Sequence, residues 1–281
     1  MGARIRLAAA AVAIAGSARE ASSQLAKANS VPSGHVEELR IDSKLYGHER
    51  RVWVYTPPGY SANESLDYDL LVAFDGGEYL EEIPMPGILD TLLAERRAGP
   101  FVAVLIDNAS SAERLADLAN HIQFADFLAS ELVDWTRRRW RVTRDPHRTI
   151  VTGSSAGGLA AAYVALRHPE VFGNVLSQSG AFWRGNEGSN GAPYEWLTSQ
   201  YAAAPRCDIR FVLEVGSRES TGAMGGAAPS ILEANRRLRD VLVAKGYLVT
   251  YAEVPGGGHA PEFWRLRLPD AIAVLASRVP K

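Results

Sequence analysis

The sequence predicts an α/β fold in which a mainly parallel β-sheet carries helices on both faces. Short apolar runs of strand length alternate along the chain with segments whose apolar residues recur at helical spacing. Some of these runs are almost continuously apolar, as parallel strands buried on both faces should be. Polar and glycine-containing segments follow the predicted strand ends, which is where open α/β sheets place their binding sites.

The composition favours one folded domain, which we place at 34–281. The chain has 281 residues, of which 47% are hydrophobic and 22% are charged, and its formal net charge is −2. A nearly neutral chain gives no support for nucleic-acid binding. Cys207 is the only cysteine, so neither an intrachain disulfide nor a paired-cysteine metal site is expected.

The first 18 residues have the features of a secretory signal peptide. Arg4 and Arg6 give a positive start, and a short apolar run and then small residues follow. The run is too short to span a bilayer, so no membrane partner is expected. We interpret 1–18 as a signal peptide, 19–33 as a flexible linker and the protein as periplasmic or secreted. The alternative is an alanine-rich leader on a cytoplasmic protein.

The elements can be placed in order from their hydrophobic patterns. Residues 51–55 alternate as a half-buried strand does, and 68–74 are nearly all apolar, as in a central strand. Apolar residues at helical spacing indicate a long amphipathic helix over 124–140. The predicted strands are 35–39, 49–56, 68–74, 101–106, a short strand beginning at Thr149, 174–177, 209–215 and 248–253. The predicted helices are 89–97, 124–140, the run that follows Ser155, 233–245 and 270–277.

The segment Gly153-Ser154-Ser155-Ala156-Gly157 matches G-x-S-x-G, the pattern of a nucleophile elbow. A strand is predicted before it and a helix after it, which is the context that this motif requires. Small residues are needed there because the strand and helix backbones approach closely at the turn. The frame of the motif makes Ser155 the candidate nucleophile and Ser154 its neighbour.

A serine hydroxyl needs an adjacent base, and the base needs an acid to orient it. In this topology the acid follows the serine in the chain and the histidine comes last. Of six histidines, only His259, directly after three glycines, fits that order. Glu219 lies on the loop after the strand 209–215 and is our preferred acid. Glu214, within that strand, is the alternative.

The negative oxygen formed during acyl transfer needs preorganised N–H donors. Ala156, directly after the candidate nucleophile, is expected to supply one. The turn after the strand 68–74 is expected to supply the other, from Gly76 or Gly77, and the sequence does not distinguish them. No metal-ligand spacing and no phosphate-binding glycine loop with a lysine is present in the sequence, so we predict no metal and no cofactor.

Other stretches are more specific than the elbow, above all Ser177-Gln178-Ser179-Gly180 and the spacing from His259 to Trp264 and Arg265. With them the chain resembles, over roughly 47–275, the enterochelin (ferric siderophore) esterases of the esterase D-like group of α/β-hydrolases. The other matching stretches are 51–57, 153–161, 168–176, Phe182-Trp183 and 233–238.

The resemblance implies an α/β-hydrolase fold, a triad of Ser155, Glu219 and His259, and hydrolysis of an ester or lactone. It also implies a small-molecule ester substrate, for which a ferric siderophore is one candidate. Ala260 stands where these esterases often have Asp, and 221–230 form a Gly/Ala-rich insertion beside the proposed acid. Because the group also contains feruloyl esterases, hydrolysis of other acyl or aryl esters is an alternative. A binding protein without turnover is a third interpretation, which the intact order of serine, acid and histidine disfavours.

Two pairs of residues are candidates for substrate binding. Trp183 and Arg184 come soon after a strand end, and Trp264 and Arg265 follow His259. Aromatic faces stack on aryl rings, and arginine offsets the charge of a ferric tris-catecholate. We therefore expect the two pairs to flank Ser155 from opposite sides. The alternative is that both tryptophans belong to the core and both arginines to the solvated surface.

Overall fold

The computed structural model describes residues 31–63, 67–185 and 194–277. The predicted signal peptide and most of the predicted linker lie outside the described residues. All elements below belong to the second of two compact units, Ser33–Lys281. Among the described residues, no helix combines the length and the apolar character needed to cross a membrane.

The centre of this unit is an eight-stranded β-sheet. Its strands are β1 His35–Ser43, β2 His48–Thr56, β3 Asp69–Ala73, β4 Phe101–Ile106, β5 Thr149–Ser154, β6 Asn174–Gln178, β7 Arg210–Gly216 and β8 Leu248–Val254. The order across the sheet is β1-β2-β4-β3-β5-β6-β7-β8. β1 pairs antiparallel with β2, and β2 with β4, whereas every other pairing is parallel. The prediction of a mainly parallel sheet is confirmed.

Helices cover both faces of the sheet, as predicted. They are α1 Gly76–Glu81, α2 Met85–Ala94, α3 Ser111–Asp117, α4 Ile122–Phe127, α5 Val133–Arg139, α6 Ala156–Arg167, α7 Trp196–Ala203, α8 Ile231–Ala244 and α9 Pro261–Ala276. A π-helical turn, Leu128–Leu132, joins α4 to α5. Buried side chains of α4 to α8 form one core with the sheet, and those of α1, α2 and α9 form the core of the opposite face.

The last helix is longer than predicted. The sequence interpretation begins it at Asp270, directly after Pro269, which has no N–H for a helical hydrogen bond. In the structure α9 runs through this proline. Trp264, Leu268 and Ile272 recur at helical spacing and are buried on one side of α9, so packing outweighs the lost backbone bond. The short helices α1, α3 and α7 are not predicted from the sequence.

The strand order brings the predicted functional turns to one edge of the sheet. β3 and β5 are neighbouring parallel strands, so the turn at Gly76 lies beside the turn at Ser155. β6, β7 and β8 follow in order on the other side of β5. The segments that carry Glu219 and His259 therefore begin at the same edge as the elbow.

Candidate active site

The elbow is a sharp turn between β5 and α6. Ser155 has φ 54° and ψ −117°, a conformation that side-chain-bearing residues rarely adopt and that costs about 1–3 kcal/mol. A methyl group on Gly153 would lie 2.6 Å from the carbonyl carbon of Gly157, so only glycine allows the strand to approach the helix this closely. The first glycine of the motif is thus required by the packing of the turn.

Backbone hydrogen bonds hold the elbow against the end of β6 and the segment that follows it. The Ser155 N–H donates to the Gln178 carbonyl at 2.9 Å, and the Ala181 N–H donates to the Ser155 carbonyl at 2.9 Å. A methyl group on Gly158 would lie 2.4 Å from Ser177 Oγ, which again shows a close approach. The strained residue is therefore fixed on both its N–H and its carbonyl side.

A chain of hydrogen bonds runs from Ser155 to Glu219. Ser155 Oγ lies 3.0 Å from Nε2 of His259, and His259 Nδ1 lies 2.9 Å from Oε2 of Glu219. An ionised carboxylate only accepts, so Nδ1 carries the proton that is donated to Glu219. Nε2 is then the acceptor for the serine hydroxyl. The His259 side chain is 38% exposed and that of Glu219 is 3% exposed, so the imidazole is accessible and the acid is enclosed.

The second oxygen of Glu219 is also held by donors. Ser179 Oγ donates to Oε1 at 2.6 Å, and the Gly216 N–H donates to the same atom at 2.9 Å. Trp264 Nε1 in turn donates to Ser179 Oγ at 2.9 Å, which directs the serine proton towards the carboxylate. These contacts fix the orientation of Glu219. Sequence reasoning missed this role of Ser179, although the distinctive Ser-Gln-Ser-Gly segment contains it.

Glu214 lies in a different set of contacts. It is buried, and its carboxylate accepts from Nε2 of Gln178 at 2.9 Å and from Nε of Arg267 at 3.2 Å. Burial raises its pKa above the ordinary value for a glutamic acid. Of the two acids that the sequence leaves open, Glu219 is thus the one in contact with His259.

The predicted oxyanion donors begin two adjacent helices. Ala156 is the first residue of α6, and Gly76 and Gly77 begin α1. A methyl group on Gly157 would lie 3.5 Å from Cβ of Phe74, so the start of α6 lies close to the residues that lead into α1. The first N–H groups of a helix have no partner within it, so they can donate to an added oxygen.

The hydroxyl of Ser154 contacts an acid on α1. Ser154 is buried, and its hydroxyl donates to Oε1 of Glu78 on α1 at 3.1 Å. Burial raises the pKa of Glu78, while the hydrogen bond from Ser154 lowers it by a smaller amount. Sequence reasoning missed Glu78, which connects the elbow to the helix that begins at Gly76.

The four predicted substrate-binding residues do not form two matching pairs. Trp183 is half-buried, whereas Arg184 is only 8% exposed. Trp264 is buried below His259, with its ring edge-on to the imidazole at 5.1 Å between centroids. The prediction that Trp264 lines the mouth beside Ser155 is wrong, because the side chain is buried and its indole N–H donates to Ser179. Arg265 is exposed and reaches the Glu82 carbonyl at the end of α1 at 3.4 Å.

An aromatic side chain that was not predicted accompanies Trp183. The ring centroid of Tyr194 lies 6.5 Å from that of Trp183, and the tyrosine is 45% exposed. The pair lies on the chain beyond β6, whose end also holds the elbow. It can present aromatic surface to a ligand, which Trp264 cannot.

Comparison with known proteins places this arrangement in context. The family model described as "Putative esterase" matches residues 43–275. The chain is 33% identical over 247 residues to the iron(III) enterobactin esterase of Dickeya dadantii (strain 3937), covering 83% of this chain and 53% of that protein. It therefore spans about half the length of the curated relatives that it matches.

Solved structures agree with the sequence comparison. The crystal structure of the enterobactin esterase from Shigella flexneri, in the presence of 2,3-dihydroxy-N-benzoyl-glycine, superposes with a TM-score of 0.74 at 30% identity. The match covers 87% of this chain and 61% of that one. A ferulic acid esterase matches with a TM-score of 0.69 over 87% of this chain and 98% of its own, and at 15% identity it shows the fold alone.

Proposed function

We propose that this chain, which belongs to the esterase family, is a serine hydrolase of carboxylic esters with a triad of Ser155, His259 and Glu219. The observation that carries the proposal is the continuous hydrogen-bond chain from Ser155 Oγ through both imidazole nitrogens to a buried carboxylate. A strained, glycine-flanked turn presents the serine at the start of that chain.

The geometry supports the following acyl-transfer sequence. His259 Nε2 accepts the proton of Ser155 as Oγ attacks the ester carbonyl carbon, and Glu219 stabilises the imidazolium that forms. The carbon–oxygen bond to the leaving alcohol breaks, and the imidazolium returns the proton to that alcohol. Water then attacks the acyl-enzyme with His259 again as the base, which releases the acid and restores the serine.

The oxyanion of each tetrahedral intermediate would lie between the starts of α6 and α1. The N–H of Ala156 and that of Gly76 or Gly77 are the proposed donors. They are held by the close approach of the start of α6 to the residues that lead into α1, so little reorganisation is needed as charge develops. Two helix N-termini also add favourable dipoles for a negative oxygen.

We further propose that the substrate is an ester or lactone linkage of a catecholate siderophore. The support is the similarity to proteins named as iron(III) enterobactin esterases, at 33% identity for the Dickeya dadantii protein. Aromatic surface from Trp183 and Tyr194 and the exposed cation of Arg265 suit aryl rings that carry negative charge. Such rings would be held beside Ser155 while the linkage between them is cut.

A fluorophosphonate probe, which reacts with activated serines, tests the nucleophile. The wild type should be labelled, Ser155→Ala should not, and Ser154→Ala should keep most of its labelling because Ser154 contacts Glu78 and not His259. Loss of labelling in a folded Ser154→Ala protein, with labelling kept in Ser155→Ala, would contradict the assignment. A wild type that is not labelled and hydrolyses no ester would favour a binding protein.

Comparison of two substrates tests the substrate class. Trp183→Ala and Arg265→Ala should each raise KM for a ferric catecholate trilactone by roughly tenfold, which equals about 1.4 kcal/mol. They should change hydrolysis of 4-nitrophenyl acetate much less, because an acetyl ester does not reach these side chains. Efficient hydrolysis of feruloyl esters together with no turnover of the trilactone would move the assignment to other aryl esters.

A further inference from the structure

Asp75 has an unusual backbone conformation for an aspartate directly before the predicted oxyanion turn. It follows β3, precedes α1 and has φ 55° and ψ 51°, in the left-handed region. That region costs a residue with a side chain roughly 1–2 kcal/mol, although aspartate tolerates it better than most. The conformation of Asp75 sets the direction in which the N–H groups of Gly76 and Gly77 leave the turn.

The carboxylate of Asp75 is held from two other elements. Arg114, on α3, donates from Nε to Oδ1 at 2.6 Å and from its second terminal nitrogen to Oδ2 at 2.7 Å. Asn108, just after β4, donates to Oδ1 at 2.9 Å. A two-point contact of this kind between guanidinium and carboxylate fixes both distance and plane. The Asp75 side chain is 9% exposed and that of Arg114 is 32% exposed.

The same carboxylate lies beside the start of the nucleophile helix. A methyl group on Gly157 would lie 3.6 Å from Oδ2 of Asp75, so the acid sits where α1 and α6 meet. A carboxylate at this place would repel an oxyanion if it were unpaired. The contact with Arg114 offsets its charge, so the acid can shape the turn without opposing the negative charge of the intermediate.

We propose that Asp75 is a positioning residue for the oxyanion hole. Clamped by Arg114 and Asn108, it holds the left-handed turn that aims the N–H of Gly76 or Gly77 towards the oxygen bound by Ala156. The inference rests on the proposed esterase function and adds a residue to it. It predicts that the clamp, meaning the contacts of Arg114 and Asn108 with the Asp75 carboxylate, stabilises the tetrahedral intermediate and has little effect on substrate binding.

The test compares Asp75→Asn with the wild type. Asparagine keeps the size and tolerates the left-handed conformation, but it cannot accept both guanidinium donors as a charged acid does. We expect kcat for 4-nitrophenyl acetate to fall about 10²-fold, the loss typical of one misplaced oxyanion donor. KM should change less than about threefold, and inhibition by phenylboronic acid, which forms a tetrahedral anion on the serine, should weaken by a factor similar to the loss in kcat.

A double-mutant cycle on Asp75 and Arg114 provides a second test. Arg114→Gln leaves an uncompensated carboxylate beside the oxyanion, so it should lose more activity than Asp75→Asn. The activity of the double variant should recover to about the level of Asp75→Asn.

Asn108→Ala removes one donor to Asp75 and should weaken phenylboronic acid binding severalfold, which gives a measurement even if Asp75→Asn does not fold. Arg51→Gln is the matched control, because Arg51 pairs with Asp107 at the end of the neighbouring strand and lies outside the clamp.

The outcomes separate this inference from the proposed function. An active, fluorophosphonate-labelled wild type together with folded Asp75→Asn and Asn108→Ala variants that keep kcat and phenylboronic acid affinity would overturn the clamp alone. The clamp is also overturned if KM rises as much as kcat falls, since Asp75 would then act on substrate binding. A wild type without labelling or hydrolysis would overturn the proposed function itself.

Discussion

At the scale of single residues, Glu214 and Glu219 show that contacts, and not sequence position, determine the chemical role of an acid. Both are buried and both lie near the end of β7. Glu219 accepts from His259, Ser179 and Gly216, whereas Glu214 accepts from Gln178 and Arg267. Their chemical roles therefore differ, although only four positions in the chain separate them.

This difference predicts unequal effects of removing each charge. Glu219→Gln should lower kcat by about 10³-fold or more, because the neutral amide no longer holds the tautomer or stabilises the imidazolium. Glu214→Gln should change kcat only a few-fold, because its contacts do not include the histidine. Steady-state hydrolysis of 4-nitrophenyl acetate, with circular dichroism to check folding, measures both. Equal losses in two folded variants would leave the acid of the triad unassigned.

Glu214 also predicts a dependence of stability on pH. Burial raises the pKa of Glu214 above the ordinary 4.5, so protonation is easier in the folded state than in the unfolded state. The stabilisation that protonated Glu214 gives the folded state is fully present below the unfolded pKa and is lost as pH rises through the folded pKa. Glutamine does not titrate, so Glu214→Gln does not show this loss. The Tm of Glu214→Gln relative to the wild type should therefore increase from pH 4 to pH 8, and a Tm difference that is constant or falls would contradict this.

The sequence predicts those site residues whose place is set by a motif or by their order along the chain. The frame of G-x-S-x-G identifies Ser155, and the order of the chain identifies His259 and favours Glu219. Ser179 and Asp75 were not predictable in their roles, because each depends on a partner distant in the sequence: Trp264 for the first and Arg114 for the second. Trp264 was assigned to the mouth for the same reason, since a tryptophan near a catalytic histidine has the same pattern whether it faces solvent or core.

At the scale of elements, the contact of β5 with α6 determines the shape of the elbow. A methyl group on Gly153 would meet the Gly157 backbone at 2.6 Å, which requires the strand and helix to separate. A methyl group on Gly157 would meet Phe74 at 3.5 Å, an ordinary contact. Two glycines of one motif thus differ in whether the fold tolerates a side chain.

This pair gives a prediction for stability. Gly153→Ala should lower Tm strongly or abolish soluble expression, because backbone atoms cannot move aside without distorting the elbow. Gly157→Ala should keep Tm within a few degrees and serves as the matched control, since alanine is also the better helix former. Differential scanning fluorimetry of both variants measures the effect. A Gly153→Ala protein as stable as the wild type would contradict the close packing of β5 against α6.

Strands were predicted better than helices for a physical reason. The parallel strands are buried on both faces, so their apolar runs stand out from the sequence. α1 and α3 have only six and seven residues, too few for a helical period to be distinguished. α9 continues through Pro269 because its buried side chains pack against the sheet and α2, and the local sequence does not show these partners.

At the scale of the whole molecule, the order of strands explains why distant segments form one site. The chain places β3 next to β5 although β4 comes between them in sequence. Parallel pairing then aligns the carboxyl ends of both strands, and with them the starts of α1 and α6. The sequence predicts a parallel sheet but not this order, because crossover connections are set by packing across the whole domain.

The last prediction concerns the export of the protein, which rests on the sequence of residues 1–18. We propose that this segment is removed and that the mature chain begins near Arg19, outside the cytoplasm. A positive start, a short apolar run and small residues before the cut are the features that signal peptidases and translocation machinery recognise. N-terminal sequencing of protein from periplasmic and secreted fractions of a bacterial host measures both the cut and the place. Replacement of Arg4 and Arg6 by glutamate should reduce export while the activity of the recovered protein stays the same, because these residues precede the folded domain. Recovery of the full-length chain from the cytoplasm alone would contradict export and would imply that any ester it hydrolyses enters the cell first.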